Sequence, residues 1–152
     1  MPWPTLPAEG GCRCGAVRFR VQAAPLLTMA CHCRGCQRMT GSAFSLSVAV
    51  PEEGFEILQG DTVPGGADKA FGHRFCPDCL SWVWTKHPMM QGFLNVRSTM
   101  LDEPSWTRPF VETCAAEGFA FVTSGAVRSY PGFPSQEEYP ALLAEYREWA
   151  GD

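Results

Sequence analysis

The chain has 152 residues, the length of one domain, with 45% hydrophobic and 18% charged residues. This composition is typical of a globular protein and excludes a disordered one. The formal net charge is −4, and the scattered basic residues do not favour binding to nucleic acid. The sequence shows neither a secretory signal nor a run of roughly 20 apolar residues. We therefore expect a cytoplasmic protein with no membrane and no nucleic-acid partner.

Frequent turn residues divide the chain, because 15 glycines and 13 prolines favour short segments over long helices. Residues 1–9 are proline-rich and are expected to form a flexible leader, followed by a single domain over residues 10–152. Apolar and polar residues alternate in several segments with the period of a half-buried strand. Strands are predicted at residues 16–21, 44–50, 55–58, 81–85, 92–96, 110–113 and 119–123. The predicted fold is therefore mainly β, with a sandwich or barrel-like core.

The C-terminal segment has a different pattern, in which apolar residues recur at helical spacing. These residues are Tyr139, Leu142, Leu143, Tyr146 and Trp149. Ser135 and Glu138 have the spacing of a capping box, and the regular helix is expected to begin near Pro140. The sequence predicts a C-terminal helix that packs on part of the sheet.

Eight cysteines are present, and in a reducing compartment they favour metal ligation or catalysis over structural disulfides. Seven of them lie in three tight groups: Cys12 and Cys14; Cys31, Cys33 and Cys36; Cys76 and Cys79. A Cys-x-Cys pair on an extended segment points two thiolates to the same face, and a Cys-x-x-Cys pair closes on a metal through a turn. Three such groups in one short chain predict zinc binding.

The number of grouped ligands is informative, because seven cysteines make one closed site of four and one site of three. A zinc ion with three protein ligands keeps a position for water or substrate, which is the pattern of a catalytic site. The simplest arrangement places Cys12, Cys14, Cys76 and Cys79 in one site and Cys31, Cys33 and Cys36 in the other. A rival arrangement joins Cys31 and Cys33 to Cys76 and Cys79, and spacing does not choose between the two.

Two residues near these groups have more ordinary interpretations. Cys114 lies in a strand-like context and is interpreted as a core cysteine, the alternative being a fourth ligand of the second site. His32 lies between two ligand cysteines, so on an extended backbone its side chain is expected to face away from the metal.

The cysteines belong to three longer blocks that resemble a known family. The blocks are GGCRCGAVRF at residues 10–19, CHCRGCQRMTGSAF at residues 31–44 and RFCPDC at residues 74–79. In this order they strongly resemble the glutathione-dependent formaldehyde-activating enzyme family, also called the centromere protein V family. The resemblance is good from Gly10 to about Trp84 and thinner beyond. One departure is Leu80, which stands where the family commonly has glycine, a residue that tolerates a positive φ.

The resemblance implies a small zinc-stabilised β-tent (Mss-like) fold of short antiparallel strands with two zinc ions per chain. It also implies the first of the two arrangements. Cys12, Cys14, Cys76 and Cys79 match the structural zinc site, and Cys31, Cys33 and Cys36 match the labile, catalytic one. The implied activity is that of a carbon–sulfur lyase, the reversible addition of glutathione to formaldehyde.

The leading hypothesis is an enzyme that takes a thiol such as glutathione and a small aldehyde as substrates. Arg34 and Arg38 lie in the same region as the second cysteine group and are candidates to attract a carboxylate of the thiol. An equally good interpretation is that they are exposed charges that keep the protein soluble. The alternative hypothesis is a zinc-stabilised binding or scaffold module without catalysis. The sequence carries no indication of the oligomeric state.

Overall fold

The computed structural model describes residues 3–151, and in this range it contains eleven strands and two α-helices. The strands are β1 (Ala8–Gly11), β2 (Arg18–Val21), β3 (Leu27–Cys31), β4 (Ser45–Pro51), β5 (Phe55–Gln59), β6 (Val63–Pro64), β7 (His73–Phe75), β8 (Trp82–Thr85), β9 (Phe93–Arg97), β10 (Val111–Thr113) and β11 (Arg128–Ser129). The helices are α1 (Arg34–Thr40) and α2 (Tyr139–Gly151), and five short 3₁₀ segments lie between elements.

The strands form two sheets. The smaller sheet has the order β1-β2-β5 and is antiparallel. The larger sheet has the order β11-β10-β3-β4-β9-β8-β7-β6, and β10 runs parallel to both β3 and β11. Strands β3, β4, β9 and β8 are paired in antiparallel fashion at its centre.

The main core lies between the two sheets. Its fully buried members include Phe19 of β2, Val48 of β4 and Val96 of β9. Successive side chains of a strand point to opposite faces, so the apolar side of the larger sheet packs on the smaller one. The hydrophobic effect acting on these two faces is the main force that holds the sheets together.

A second core lies on the opposite face of the larger sheet, where α2 packs. Leu142 and Tyr146 of α2 are buried together with Leu27 of β3 and Ala49 of β4. Ala49 lies between Val48 and Val50, which belong to the first core, so β4 supplies one core from each of its faces. The C-terminal helix packs on the sheet as predicted.

The predicted mainly β fold is confirmed, and so is the N-terminal cap of the C-terminal helix. Ser135 and Glu138 form a capping box before a 3₁₀ turn, and α2 begins one residue earlier than Pro140. The helix α1 and the strands β1, β3, β7 and β11 were not predicted from the sequence. The short β6, Val63–Pro64, was also not predicted.

The strand predicted at residues 119–123 is wrong, because this segment forms turns and irregular chain. Phe119 is 41% exposed and Phe121 is 84% exposed, so the alternation there does not divide a buried face from a solvent face. The two rings stack on each other, with centroids 5.1 Å apart. A local aromatic contact replaces the pairing that a strand would need.

Part of the predicted leader is included in the folded structure. Ala8 and Glu9 belong to β1 and pair with β2. Trp3 contacts Tyr146 of α2, with ring centroids 5.9 Å apart. Residues 1, 2 and 152 lie outside the described residues. Within residues 3–151, neither helix has the length and apolar character needed to cross a lipid bilayer.

Replacing Phe19 with alanine is expected to lower the free energy of unfolding by about 3–5 kcal/mol, because a large cavity would form between the sheets. The measurement is urea-induced unfolding of the metal-loaded protein. Phe133→Ala serves as the control, since Phe133 is 67% exposed and its truncation should change stability by less than about 0.5 kcal/mol. Similar losses in the two variants would contradict the proposed position of the core.

Candidate metal centres

Four cysteines from two distant turns form the first cluster. Cys12 and Cys14 lie in the turn between β1 and β2 of the smaller sheet. Cys76 and Cys79 lie in the turn between β7 and β8 of the larger sheet. Their four Sγ atoms lie within 4.8 Å of one another. The cluster therefore connects the two sheets at the edge of their shared core.

The geometry of this cluster fits a tetrahedral metal ion with sulfur ligands. The Cys12 and Cys14 Sγ atoms are 3.6 Å apart, and those of Cys14 and Cys76 are 3.8 Å apart. Four sulfurs at the usual Zn–S distance of about 2.3 Å are separated by about 3.8 Å from one another. These two separations thus match the edges of a zinc-sized tetrahedron.

Hydrogen bonds in the two turns favour the thiolate form of Cys12 and Cys79. The backbone N–H of Val17 donates to Cys12 Sγ over 3.2 Å. The Ser81 hydroxyl lies 3.2 Å from Cys79 Sγ and lowers the pKa of Cys79 to about 5. Metal ligation requires thiolates, so these donors assist metal binding.

The second turn contains an unusual backbone conformation. Leu80 has a φ of 61°, in the left-handed region that glycine tolerates best. Its backbone N–H donates to the Cys76 carbonyl oxygen over 2.9 Å, which closes the turn around the two ligands. The departure from the family's usual glycine therefore leaves a positive φ at this position, and the leucine bears the strain.

Three cysteines near the start of α1 form the second cluster. Cys31 ends β3, Cys33 is the N-cap of α1, and Cys36 lies in its first turn. The Cys36 backbone N–H donates to Cys33 Sγ over 3.2 Å. The three Sγ atoms lie within 4.8 Å of one another. The seven grouped cysteines are thus brought together as four and three, which is the first of the two arrangements.

The thiols of the second cluster interact strongly. The hydrogen bond with Cys36 lowers the pKa of Cys31 to about 5, and the same contact raises the pKa of Cys36. Ionisation of one thiol therefore opposes ionisation of the next, because like charges at this separation repel. A bound cation would allow all three to be thiolates, so the donor set fits a metal ion.

Cys114 lies beside this second cluster and outside the group of three. It is 5% exposed, and burial, followed by the neighbouring Cys31 thiol, raises its pKa to about 12. Its φ is 55°, in the left-handed region. The structure thus places Cys114 in the interior, near Cys31.

His32 faces away from the three thiols, in the direction expected from the sequence. Its Nε2 lies 2.8 Å from Glu112 Oε2, and the same oxygen accepts a hydrogen bond from the Ser124 hydroxyl over 2.5 Å. Gln37 of α1 donates to the His32 carbonyl oxygen over 2.8 Å. These contacts fix His32, the residue directly before Cys33.

The arginines that the sequence analysis placed near the second cluster are both exposed. Arg34 donates to the Gln37 side chain over 2.6 Å. A different arginine, Arg97 at the end of β9, lies buried on the sheet face that carries Cys31 and was not identified from the sequence. The sequence pattern could have identified it, because side chains alternate along β9. Asn95 and Arg97 therefore lie on the face of the strand opposite to that of Leu94 and Val96.

Replacing Leu80 with glycine is expected to raise the free energy of unfolding by about 1 kcal/mol, because glycine adopts the left-handed conformation without strain. Leu80 is 70% exposed, so little packing is lost. Leu80→Ala is the matched control: it removes the same side chain but retains a Cβ atom. Urea unfolding of the metal-loaded proteins measures both, and a gain of equal size in the alanine variant would show that strain is not the cause.

Comparison with known proteins identifies the family. A crystal structure of a Rhodobacter sphaeroides protein is 19% identical, with a TM-score of 0.47, and the match covers 62% of this chain and 87% of that chain. The family model described as glutathione-dependent formaldehyde-activating enzyme matches residues 7–117. This match includes all seven clustered cysteines and extends beyond Trp84. The chain therefore belongs to the glutathione-dependent formaldehyde-activating enzyme family.

Proposed function

We propose that the protein is a zinc-dependent carbon–sulfur lyase that adds glutathione, or a similar thiol, to formaldehyde or a related small carbonyl compound. The observation that carries the proposal is the group of three cysteines Cys31, Cys33 and Cys36, which leaves out the nearby Cys114. Family membership supports the same class of reaction. The proposal assigns two zinc ions per chain, a structural one to the four-cysteine cluster and a catalytic one to the three-cysteine cluster.

A zinc ion with three thiolate ligands supplies an open position for a substrate thiol and lowers the pKa of that thiol. In the reaction, the thiol sulfur forms a bond to the carbonyl carbon and the π bond of the carbonyl breaks. The thiol proton ends on the former carbonyl oxygen, so the product is the S-hydroxymethyl adduct. The reverse reaction breaks the same carbon–sulfur bond, which is the lyase direction.

The chain's own contribution is to hold three sulfurs in a fixed arrangement. Cys33 Sγ is oriented by the backbone N–H of Cys36, and Cys31 is fixed by the pairing of β3 with β4 and β10. Gln37 is 5% exposed and donates to two carbonyl oxygens, those of His32 and Glu117. A preorganised ligand set of this kind keeps its geometry while substrate enters and leaves.

The proposal places the protein in the cytoplasm, because the ligands must remain reduced. All eight cysteines are unpaired in the structure. Cysteines that stay reduced require the same reducing conditions that keep a thiol substrate such as glutathione free.

Replacing Cys33 with serine is expected to reduce the rate of adduct formation to the uncatalysed background while leaving the protein folded. Serine is a favourable N-cap, so it preserves the start of α1 while removing a sulfur ligand. The rate is measured by exchange NMR on mixtures of glutathione and formaldehyde. Cys114→Ser is the matched control and should retain activity. A fully active Cys33→Ser variant would refute the mechanism.

The two clusters are expected to differ in how firmly they hold zinc. A mild chelator should remove one of two zinc ions, because the three-cysteine site is open and the four-cysteine site is closed. Glutathione should slow this loss by occupying the open position. Mass spectrometry of metal content before and after chelation provides the measurement. A single zinc ion, or two that are equally resistant and indifferent to glutathione, would count against the open site.

A zinc-stabilised binding module is the second candidate function, and one observation favours it. Cys114 lies beside Cys31 and interacts with its thiol. If Cys114 moved to become a fourth ligand, the second site would be closed and without catalytic chemistry. In that case Cys114→Ser would make the second zinc ion more labile, whereas an open site predicts no change in its release.

A further inference from the structure

Arg97 is a buried cation with no carboxylate partner among residues 3–151. Arg97 is 7% exposed, and its buried Nε has no hydrogen-bond partner among the residues that the structure describes. Every ion pair within residues 3–151 joins a carboxylate to a basic residue other than Arg97. Burial lowers the pKa of Arg97 to about 10, so the guanidinium stays charged at neutral pH. Burying a guanidinium whose hydrogen-bond donors lack acceptors is unfavourable, so its position points to a ligand that supplies them.

Strand register places Arg97 on the same face as the three-cysteine cluster. Arg97 is directly opposite Ser47 of β4, and Cys31 is directly opposite Ser45 of β4. Ser45 and Ser47 are two residues apart, so their side chains share a face. Arg97 and Cys31 therefore lie on that face, with one strand between them. The thiols of Cys36 and Cys31 are also the nearby groups that favour the charged form of Arg97.

An aromatic ring, and not a carboxylate, positions the guanidinium. Arg97 Cζ lies 3.9 Å from the centre of the Trp82 ring, at stacking distance. The Trp82 indole N–H donates to Thr85 Oγ1 over 2.9 Å, which fixes the ring. Stacking uses the flat face of a guanidinium and leaves the N–H groups at its edge free for hydrogen bonds.

His73 completes the surroundings of Arg97 without adding a second charge. His73 Nδ1 lies 2.8 Å from Thr85 Oγ1, and its ring packs edge-on against Trp82, with centroids 5.0 Å apart. Burial, followed by the positive charge of Arg97, lowers the pKa of His73 to about 4. His73 is therefore neutral at physiological pH, and Arg97 is the cation on this part of the sheet face.

We infer that Arg97 is an anion-binding residue of the three-cysteine site, and that it binds an anionic oxygen of the ligand. Two sources have this chemistry: a carboxylate of the thiol substrate, and the oxygen that becomes negative as sulfur adds to the carbonyl. Both present oxygen lone pairs that suit the forked donors of a guanidinium. The inference rests on the proposed function, because it assumes that the ligand enters beside Cys31 and Cys36.

The first experiment measures binding and does not depend on activity. Metal-loaded wild-type, Arg97→Met and Arg97→Lys proteins are titrated calorimetrically with S-methylglutathione, which keeps both carboxylates but has no free thiol. Arg147→Met is the matched control, because Arg147 is an exposed arginine of α2 and its loss changes the net charge equally. If a carboxylate is the source, Arg97→Met should weaken binding about tenfold or more, and Arg147→Met should not.

The second experiment separates the two sources by kinetics. The adduct-forming rate is compared for glutathione and for its diethyl ester, which keeps the thiol but lacks carboxylates. A carboxylate source predicts that Arg97→Met raises the KM for glutathione only. A developing oxyanion predicts a fall in kcat of about 100-fold or more for both thiols. In each case Arg97→Lys should recover part of the loss, since it keeps the charge and loses the fork.

Three results would overturn the inference. One is that all binding and kinetic constants of Arg97→Met stay within twofold of wild type. Another is an equal effect of Arg147→Met, which would indicate general electrostatics. The third is loss of metal from Arg97→Met with ligand binding otherwise intact, which would make Arg97 only a counter-charge for the thiolates. If wild type is inactive but its binding of S-methylglutathione depends on Arg97, the lyase proposal fails and the anion site stands.

Discussion

The closeness of four thiols at the edge of the core is the constraint on which the rest of the structure depends. Cys12 and Cys14 belong to the smaller sheet, and Cys76 and Cys79 to the larger one. Four sulfurs this close repel when ionised, so a cation bound among them would turn a repulsive contact into a link between the sheets. With the sheets linked at this edge, their apolar faces can form a core without long-range restraint from disulfide bonds.

The larger sheet uses its two faces for different purposes. One face carries Val48, Val50 and Val96 and packs on the smaller sheet. The other is apolar where α2 covers it and polar where α1 and the three-cysteine cluster lie, as the neighbouring Ala49 and Ser47 of β4 illustrate. The three-cysteine cluster therefore starts at the end of a paired strand, at Cys31 of β3, and continues into α1. Regular elements of this kind hold side-chain geometry better than free loops do.

The two cysteine clusters share one feature of construction but differ in the number of chain segments that form them. In each, backbone N–H groups donate to sulfur, from Val17 to Cys12 in the first and from Cys36 to Cys33 in the second. The first uses two turns that close on each other, whereas the second uses one continuous segment from a strand end into a helix. A single segment therefore supplies all three cysteines of the second cluster.

The sequence by itself determined the local features: the cysteine groups, the mainly β class, the capping box at Ser135 and the orientation of His32 away from the thiols. Each depends on spacing within a few residues, which strand and helix periodicity fix. Only the tertiary structure decided which distant cysteines meet, since spacing allowed Cys76 and Cys79 to join either group. It also decided that Arg97 lies near Cys31, because strand order and register set that distance. The strand predicted at residues 119–123 was wrong because alternation is a local pattern, whereas a strand also needs a neighbouring strand edge that only the fold supplies.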